Sequence, residues 1–162
     1  MIDCWELVDV DGFKRMVEAG WIVTTLPEGA QVDIGPLAHF TAMHVQSWLP
    51  EREFVKEVLD VLEQLNGRPT STDRCRDAYA RFEEEPTAEA RDALKEAYEA
   101  VPEHLRGSVL GDMDVKDIPI RMIIYGEDEI KRWPHWALAH ALGHDPLPYI
   151  DVPRVPDKRG SS

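Results

Sequence analysis

The run from residue 70 to residue 101, TSTDRCRDAYARFEEEPTAEARDALKEAYEAV, decides the fold class. Its apolar residues recur at helical spacing: Cys75, Ala78, Tyr79 and Phe82 fall at i, i+3, i+4 and i+7. After Pro86, the residues Ala90, Ala93, Leu94, Ala97, Tyr98 and Val101 repeat the pattern, and Thr87 stands where a hydroxyl can cap the second helix. Two amphipathic helices joined by so short a link are expected to form an antiparallel pair.

Working towards the N-terminus, the clearest helix runs from about Glu51 to Asn66. Phe54, Val55, Val58, Leu59, Leu62 and Leu65 make one stripe, and Gly67 lies past its end. The stretch Gly67 to Ser71 reads as a linker. Gly35-Pro36 is expected to open a helix carrying Leu37, Phe40, His44 and Trp48 on one side, ended by Pro50. Trp21 to Leu26 and Ala30 to Ile34, separated by Pro27-Glu28-Gly29, read as a β-hairpin. A short helix around Phe13, Met16 and Val17, capped by Asp9 or Asp11 and stopped by Gly20, precedes it, and the near-alternating stretch Ile2 to Val10 suits a strand.

Towards the C-terminus, Pro102 to Leu110 continues as a short helix and Gly111 to Asp117 as a polar turn. The branched run Ile118 to Tyr125 reads as a strand that pairs with the N-terminal hairpin. Glu127 to Trp133 and Pro134 to Leu142 give a helix interrupted at Pro134 and stopped by Gly143, followed by an extended, proline-punctuated tail from Pro146 to Pro156. The expected fold is α+β and mostly helical, with about six helices and a small antiparallel sheet; the alternative is an all-α bundle with a β-hairpin. Residues 1–157 are expected to form a single globular domain and residues 158–162 a disordered tail.

The chain has 162 residues, 43% of them apolar, so its 30% of charged residues does not signal disorder. The two cysteines, Cys4 and Cys75, form neither a disulfide framework nor a zinc spacing, which fits a reducing compartment. Without a basic and apolar leader or an apolar run of about 20 residues, the expectation is a cytoplasmic protein off the membrane. A formal net charge of −13 disfavours direct binding to nucleic acid or to an anionic bilayer and favours a basic protein partner.

Several constellations invite chemistry. His140, His144 and Asp145 are the weak metal candidates, with His135 nearby. His140 and His144 are four residues apart, but Gly143 is expected to end the helix between them, and no glutamate supplies an HExxH pattern. Asp112, Asp114 and Asp117 crowd one turn without the glycine and closing glutamate of an EF-hand. Cys75 and Arg81 satisfy C-x5-R, but the residues between them are helix formers rather than a glycine-rich phosphate cradle. No GxGxxG, GxxxxGK[ST] or GxSxG motif occurs, so neither a catalytic residue nor a cofactor is assigned.

The remaining signal is acidic. Glu83, Glu84 and Glu85 lead into a helix on which Glu89, Asp92, Glu96 and Glu99 fall at i, i+3, i+7 and i+10. Between Glu83 and Glu103 there are 8 acidic and 2 basic residues, a net charge of −6. Carboxylates three or four residues apart on a helix lie about 5 to 6 Å from one another, close enough in spacing to imitate a row of phosphates. Trp133 and Trp136 could add an apolar anchor beside such a stripe. The expected function is therefore a non-enzymatic interaction protein whose acidic surface engages a basic partner, most concretely an inhibitor mimicking nucleic acid on a nucleic-acid-binding complex, in the manner of phage antidefence or antitoxin-like proteins. The alternatives are a small metal-dependent hydrolase centred on residues His135 to Asp145 with Asp112 and Asp114, and a homodimeric adaptor or scaffold joined through the helix Glu51 to Asn66.

Overall fold

The computed structural model describes residues 7–47, 49–111, 116–126, 128–129, 134–144 and 152–156. Within them the chain forms, in order, α1 (Val10–Glu18), β1 (Gln31–Asp33), β2 (His39–Thr41), α2 (Glu51–Leu65), α3 (Ser71–Glu84), α4 (Ala88–Ala100), a 3-10 helix (Glu103–Ser108), α5 (Ile118–Tyr125) and α6 (Pro134–Ala141). The architecture is α+β and mostly helical, with one small antiparallel sheet among the described residues. No described helix is long and apolar enough to cross a membrane. The contacts group into two compact units, Met1–Leu62 and Glu63–Ser162.

In the first unit, α1 begins where the Asp9 carboxylate accepts the Gly12 N–H at 2.7 Å, the capping role its position suggests. The helix closes on Gly20, whose N–H reaches the Val17 carbonyl while the Trp21 N–H reaches that of Met16. The expected N-terminal strand does not extend into the described chain: residues 7–9 have no regular structure, and residues 1–6 lie outside the described residues. The aromatic rings of Phe13 on α1 and Phe54 on α2 meet edge to face, 5.9 Å apart. Val55, Val58 and Leu59 lie half-buried along the predicted stripe of α2.

The hairpin forms one step later in the sequence than its composition suggests. β1 pairs with β2 in the register Gln31↔Thr41, Val32↔Phe40 and Asp33↔His39, and residues 21–26 are irregular. Gly35-Pro36, read as a helix start, is the hairpin turn instead: the Ile34 carbonyl accepts the Leu37 N–H, and Gly35 adopts φ 50°, a left-handed value that a glycine takes without steric cost. The helix expected from Leu37 to Trp48 is thereby replaced by a strand and irregular chain, with Trp48 itself outside the described residues. The Gln31 amide donates to the Thr41 hydroxyl at 3.0 Å across the strands, a cross-strand contact that helical periodicity could not anticipate.

The second unit is built on the α3–α4 hairpin. The Thr70 hydroxyl accepts the Asp73 N–H while the Asp73 carboxylate accepts the Thr70 N–H, a reciprocal capping box; the Thr70 hydroxyl, donating to the same carboxylate at 2.7 Å, and then the Thr70 N–H hold the Asp73 carboxyl below its ordinary range. Thr87 caps α4 as predicted, accepting the Ala90 N–H at 3.1 Å. Cys75, Ala78 and Phe82 of α3 pack with Leu94 and Tyr98 of α4, and Val101, Val109 and Ile120 complete the buried cluster. Six of these eight, from Cys75 to Val101, are positions that the opening periodicity places on the apolar side, whereas Val109 and Ile120 lie beyond that run.

The segment from Ile118 to Tyr125 is a helix, α5, not a strand. Four isoleucines favour strand by propensity, but that preference is worth at most about 1 kcal/mol per residue and yields to burial. Pro119 sits at the start of the helix, where its missing N–H costs nothing, and Ile120, Ile123 and Ile124 at i, i+3 and i+4 turn onto the core cluster. The expected pairing of this segment with the hairpin therefore does not occur. Of the preceding turn, residues 112–115 lie outside the described residues, as do residue 127, residues 130–133, residues 145–151 and the tail from residue 157. Residues 152–156 carry no regular secondary structure.

Candidate functional site

Two features of the second unit carry charge in an organised way. The first is the acidic face. Glu83, Glu84, Glu85, Glu89, Asp92, Glu96 and Glu99 are all exposed. At about 100° per residue, the four α4 carboxylates fall within roughly 40° of the direction opposite Leu94, so the packing that buries Leu94 and Tyr98 aims them outward. They extend over roughly 15 Å of helix from Glu89 to Glu99.

Basic residues dilute this face only at its margins. Arg91 approaches the Asp92 carboxylate at 3.4 Å, and Lys95 lies 4.0 Å from that of Glu99, both in exposed pairs that contribute little to stability. Glu99 also accepts the Tyr125 hydroxyl at 3.1 Å. The Glu83 carboxylate accepts the hydroxyl of Tyr79; burial, with this bond, pushes the Tyr79 phenol up to about 12. Of the expected tryptophan anchor, Trp133 lies outside the described residues, and Trp136 falls on α6.

The second feature escaped the sequence reading. Tyr98, Glu103, Arg106, Asp117, Arg121 and Glu129 line a cleft of about 610 Å³ between α4, the 3-10 helix and α5. Asp117 occupies the cap position of α5 without capping it; its buried carboxylate accepts the Tyr98 hydroxyl at 2.5 Å instead. Burial raises the Tyr98 pKa, and the bond to Asp117 raises it further, so the phenol stays neutral and acts as a donor. The Arg106 guanidinium lies 5.3 Å from the Tyr98 ring and donates to the carbonyls of Val101 and Glu99. Arg121 pairs with Glu129. Read as a strand, the segment gives Asp117, Arg121 and Tyr125 no special relation beyond a shared face. As a helix it places them at i, i+4 and i+8, one column aimed at the cleft, and the signal that could have revealed this is Pro119 at a helix start with Gly126 at its end.

Of the metal candidates, His140 and His144 lie among the described residues. His140 on α6 and His144 beyond it are exposed; Gly143 ends α6 with its N–H on the His140 carbonyl, and Asp145, Asp112 and Asp114 lie outside the described residues. Among the described residues no group of three or more His, Cys, Asp or Glu side chains is placed to hold a metal ion. Cys75 is fully buried in α3, where burial pushes its thiol up to about 11, opposite to the thiolate that C-x5-R chemistry requires.

Residues 1–69 match the family model described as Domain of unknown function (DUF7638), and residues 70–142 match that described as Domain of unknown function (DUF7639). The junction between the two matches falls in the short link from α2 to the capping box of α3. No curated protein and no solved structure matches the chain.

Proposed function

We propose that this chain is a non-enzymatic interaction protein that presents the outer face of α4 and the end of α3 to a basic protein surface. The observation that carries this reading is the exposure of all seven carboxylates from Glu83 to Glu99, opposite a side of α4 committed to the core. Burial fixes the rotation of α4, so the charges are held in place rather than spread over a mobile chain. Such a row attracts a basic groove and raises its rate of encounter. The most concrete partner is a nucleic-acid-binding protein whose phosphate-contacting groove the acidic row fills, making the chain an inhibitor.

The test is affinity capture from the native host, followed by titration of the purified partner with the wild type and with the triple variant Glu89→Lys, Asp92→Lys, Glu96→Lys. The wild type is expected to bind at low ionic strength, to weaken steeply with added salt and to be displaced by a DNA or RNA oligonucleotide. The variant is expected to bind at least about tenfold more weakly. An unchanged affinity and salt slope in the variant refute the proposal.

A further inference from the structure

The cleft between α4, the 3-10 helix and α5 holds charges of both signs, and its volume of about 610 Å³ is that of a small-molecule site. Part of its wall is the ion pair of Arg121 with Glu129, and the exposed Glu103 lines it as well. Two further charges stand on the same tyrosine. Asp117, 8% exposed, commits one carboxylate oxygen to the Tyr98 hydroxyl, and among the described residues its other oxygen has no hydrogen-bond donor. Arg106, half-buried over the Tyr98 ring, commits two nitrogens to the carbonyls of Glu99 and Val101, and among the described residues it has no carboxylate within ion-pair distance.

Opposite charges in so sheltered a place attract strongly, and arginine has the length to meet a carboxylate bonded to the residue beneath it. Arg106 and Asp117 nevertheless line the cleft without pairing, because the guanidinium is tied back to the end of α4 and the carboxylate is tied to Tyr98. Each is thereby fixed in place with bonding capacity left over, and a sheltered charge short of partners is costly until a solvent molecule or a ligand supplies them. A simple anion entering the cleft faces the carboxylates of Asp117, Glu103 and Glu129, and a simple cation faces Arg106 and Arg121. A ligand with a positive and a negative group side by side matches both.

We propose that this cleft binds a free α-amino acid, with its carboxylate on the Arg106 guanidinium and its ammonium on the open oxygen of Asp117. Both protein groups are held before the ligand arrives, which lowers the ordering cost of binding. The volume exceeds what the two charged groups fill, so a side chain is accommodated beside Tyr125. Discrimination follows from the same pairing, since a ligand lacking either charge leaves a sheltered protein charge unanswered. The site goes beyond the acidic face and does not depend on it: Glu89, Asp92 and Glu96 do not line the cleft.

The test titrates the full chain by isothermal calorimetry with each of the genetically encoded α-amino acids. At least one is expected to bind saturably, one ligand per chain, with a Kd of about 1 mM or tighter. The decarboxylated amine and the N-acetyl derivative of the tightest binder each keep one of the two charges, and each is expected to bind at least about tenfold more weakly. Asp117→Asn, which keeps an acceptor for Tyr98 but not the charge, and Arg106→Gln are each expected to weaken binding of the amino acid at least about tenfold, with folding checked by circular dichroism. Absence of saturable binding by every amino acid overturns the proposal, as does a singly charged analogue that binds as tightly as the amino acid itself. Both of these results come from the wild type and stand even if a variant fails to fold. A folded variant at either position that binds the amino acid as tightly as the wild type also overturns it.

Discussion

Tyr98→Phe removes one oxygen atom from the second unit and nothing else of consequence. The phenylalanine ring keeps the packing of a side chain that is 3% exposed and keeps its face beneath the Arg106 guanidinium. What is lost is the donor to the Asp117 carboxylate, at a residue 8% exposed. A hydrogen bond to a charged acceptor contributes about 1.5 to 3 kcal/mol, and a buried carboxylate left short of a donor is the costly case. For a unit of about a hundred residues, a loss of about 2 kcal/mol corresponds to a fall in Tm on the order of 10 °C. Urea and thermal unfolding followed by circular dichroism measure both. In an Asp117→Ala background the same substitution is expected to cost close to nothing, leaving a coupling energy of about 2 kcal/mol. The pH dependence adds a signature. The folded Tyr98 pKa lies above the unfolded value near 10, so its contribution is complete below pH 10 and is lost as pH rises further. Wild type and Tyr98→Phe are therefore expected to converge in strongly alkaline solution. A loss below about 0.5 kcal/mol at neutral pH, or an equal loss with and without Asp117, refutes the reasoning.

Leu94→Ala opens a cavity at a position with no exposure and is expected to cost about 3 to 4 kcal/mol in chemical unfolding; a cost below about 1 kcal/mol means that α4 does not bury this face. Cys75→Ala tests the buried thiol through pH: the thiol is raised from its ordinary value of 9.0 to about 11, so its contribution is complete below pH 9 and lost towards pH 11. The stability difference between wild type and Cys75→Ala is expected to fall by about 2 kcal/mol across that window, and a difference independent of pH contradicts the burial assigned to Cys75.

Of the two charged features, only the acidic face was legible in the sequence. Its carboxylates follow one another along a single helix, and the apolar positions of that helix state which way they point. The cleft at Asp117 was hidden because its residues come from α4, the 3-10 helix and α5, and because misreading Ile118 to Tyr125 as a strand removed the register that aligns Asp117 with Arg121 and Tyr125. The hairpin was misplaced for a related reason: Gly35-Pro36 is compatible both with a helix start and with a tight turn, and pairing between His39–Thr41 and Gln31–Asp33 decides between them.

The sequence by itself determined the elements whose causes are local. α2, α3 and α4 follow from apolar residues at helical spacing, the capping of α4 from Thr87, and the ends of α1 and α2 from Gly20 and Gly67. A helical turn and its caps are satisfied by residues within four positions, so the pattern that produces them is written beside them. Tertiary structure alone decided α5, the strand register and the cleft. Ile120 gains more by burial against α4 and its neighbours than its branched side chain loses by leaving a strand, and that gain depends on residues that folding brings together from far along the chain.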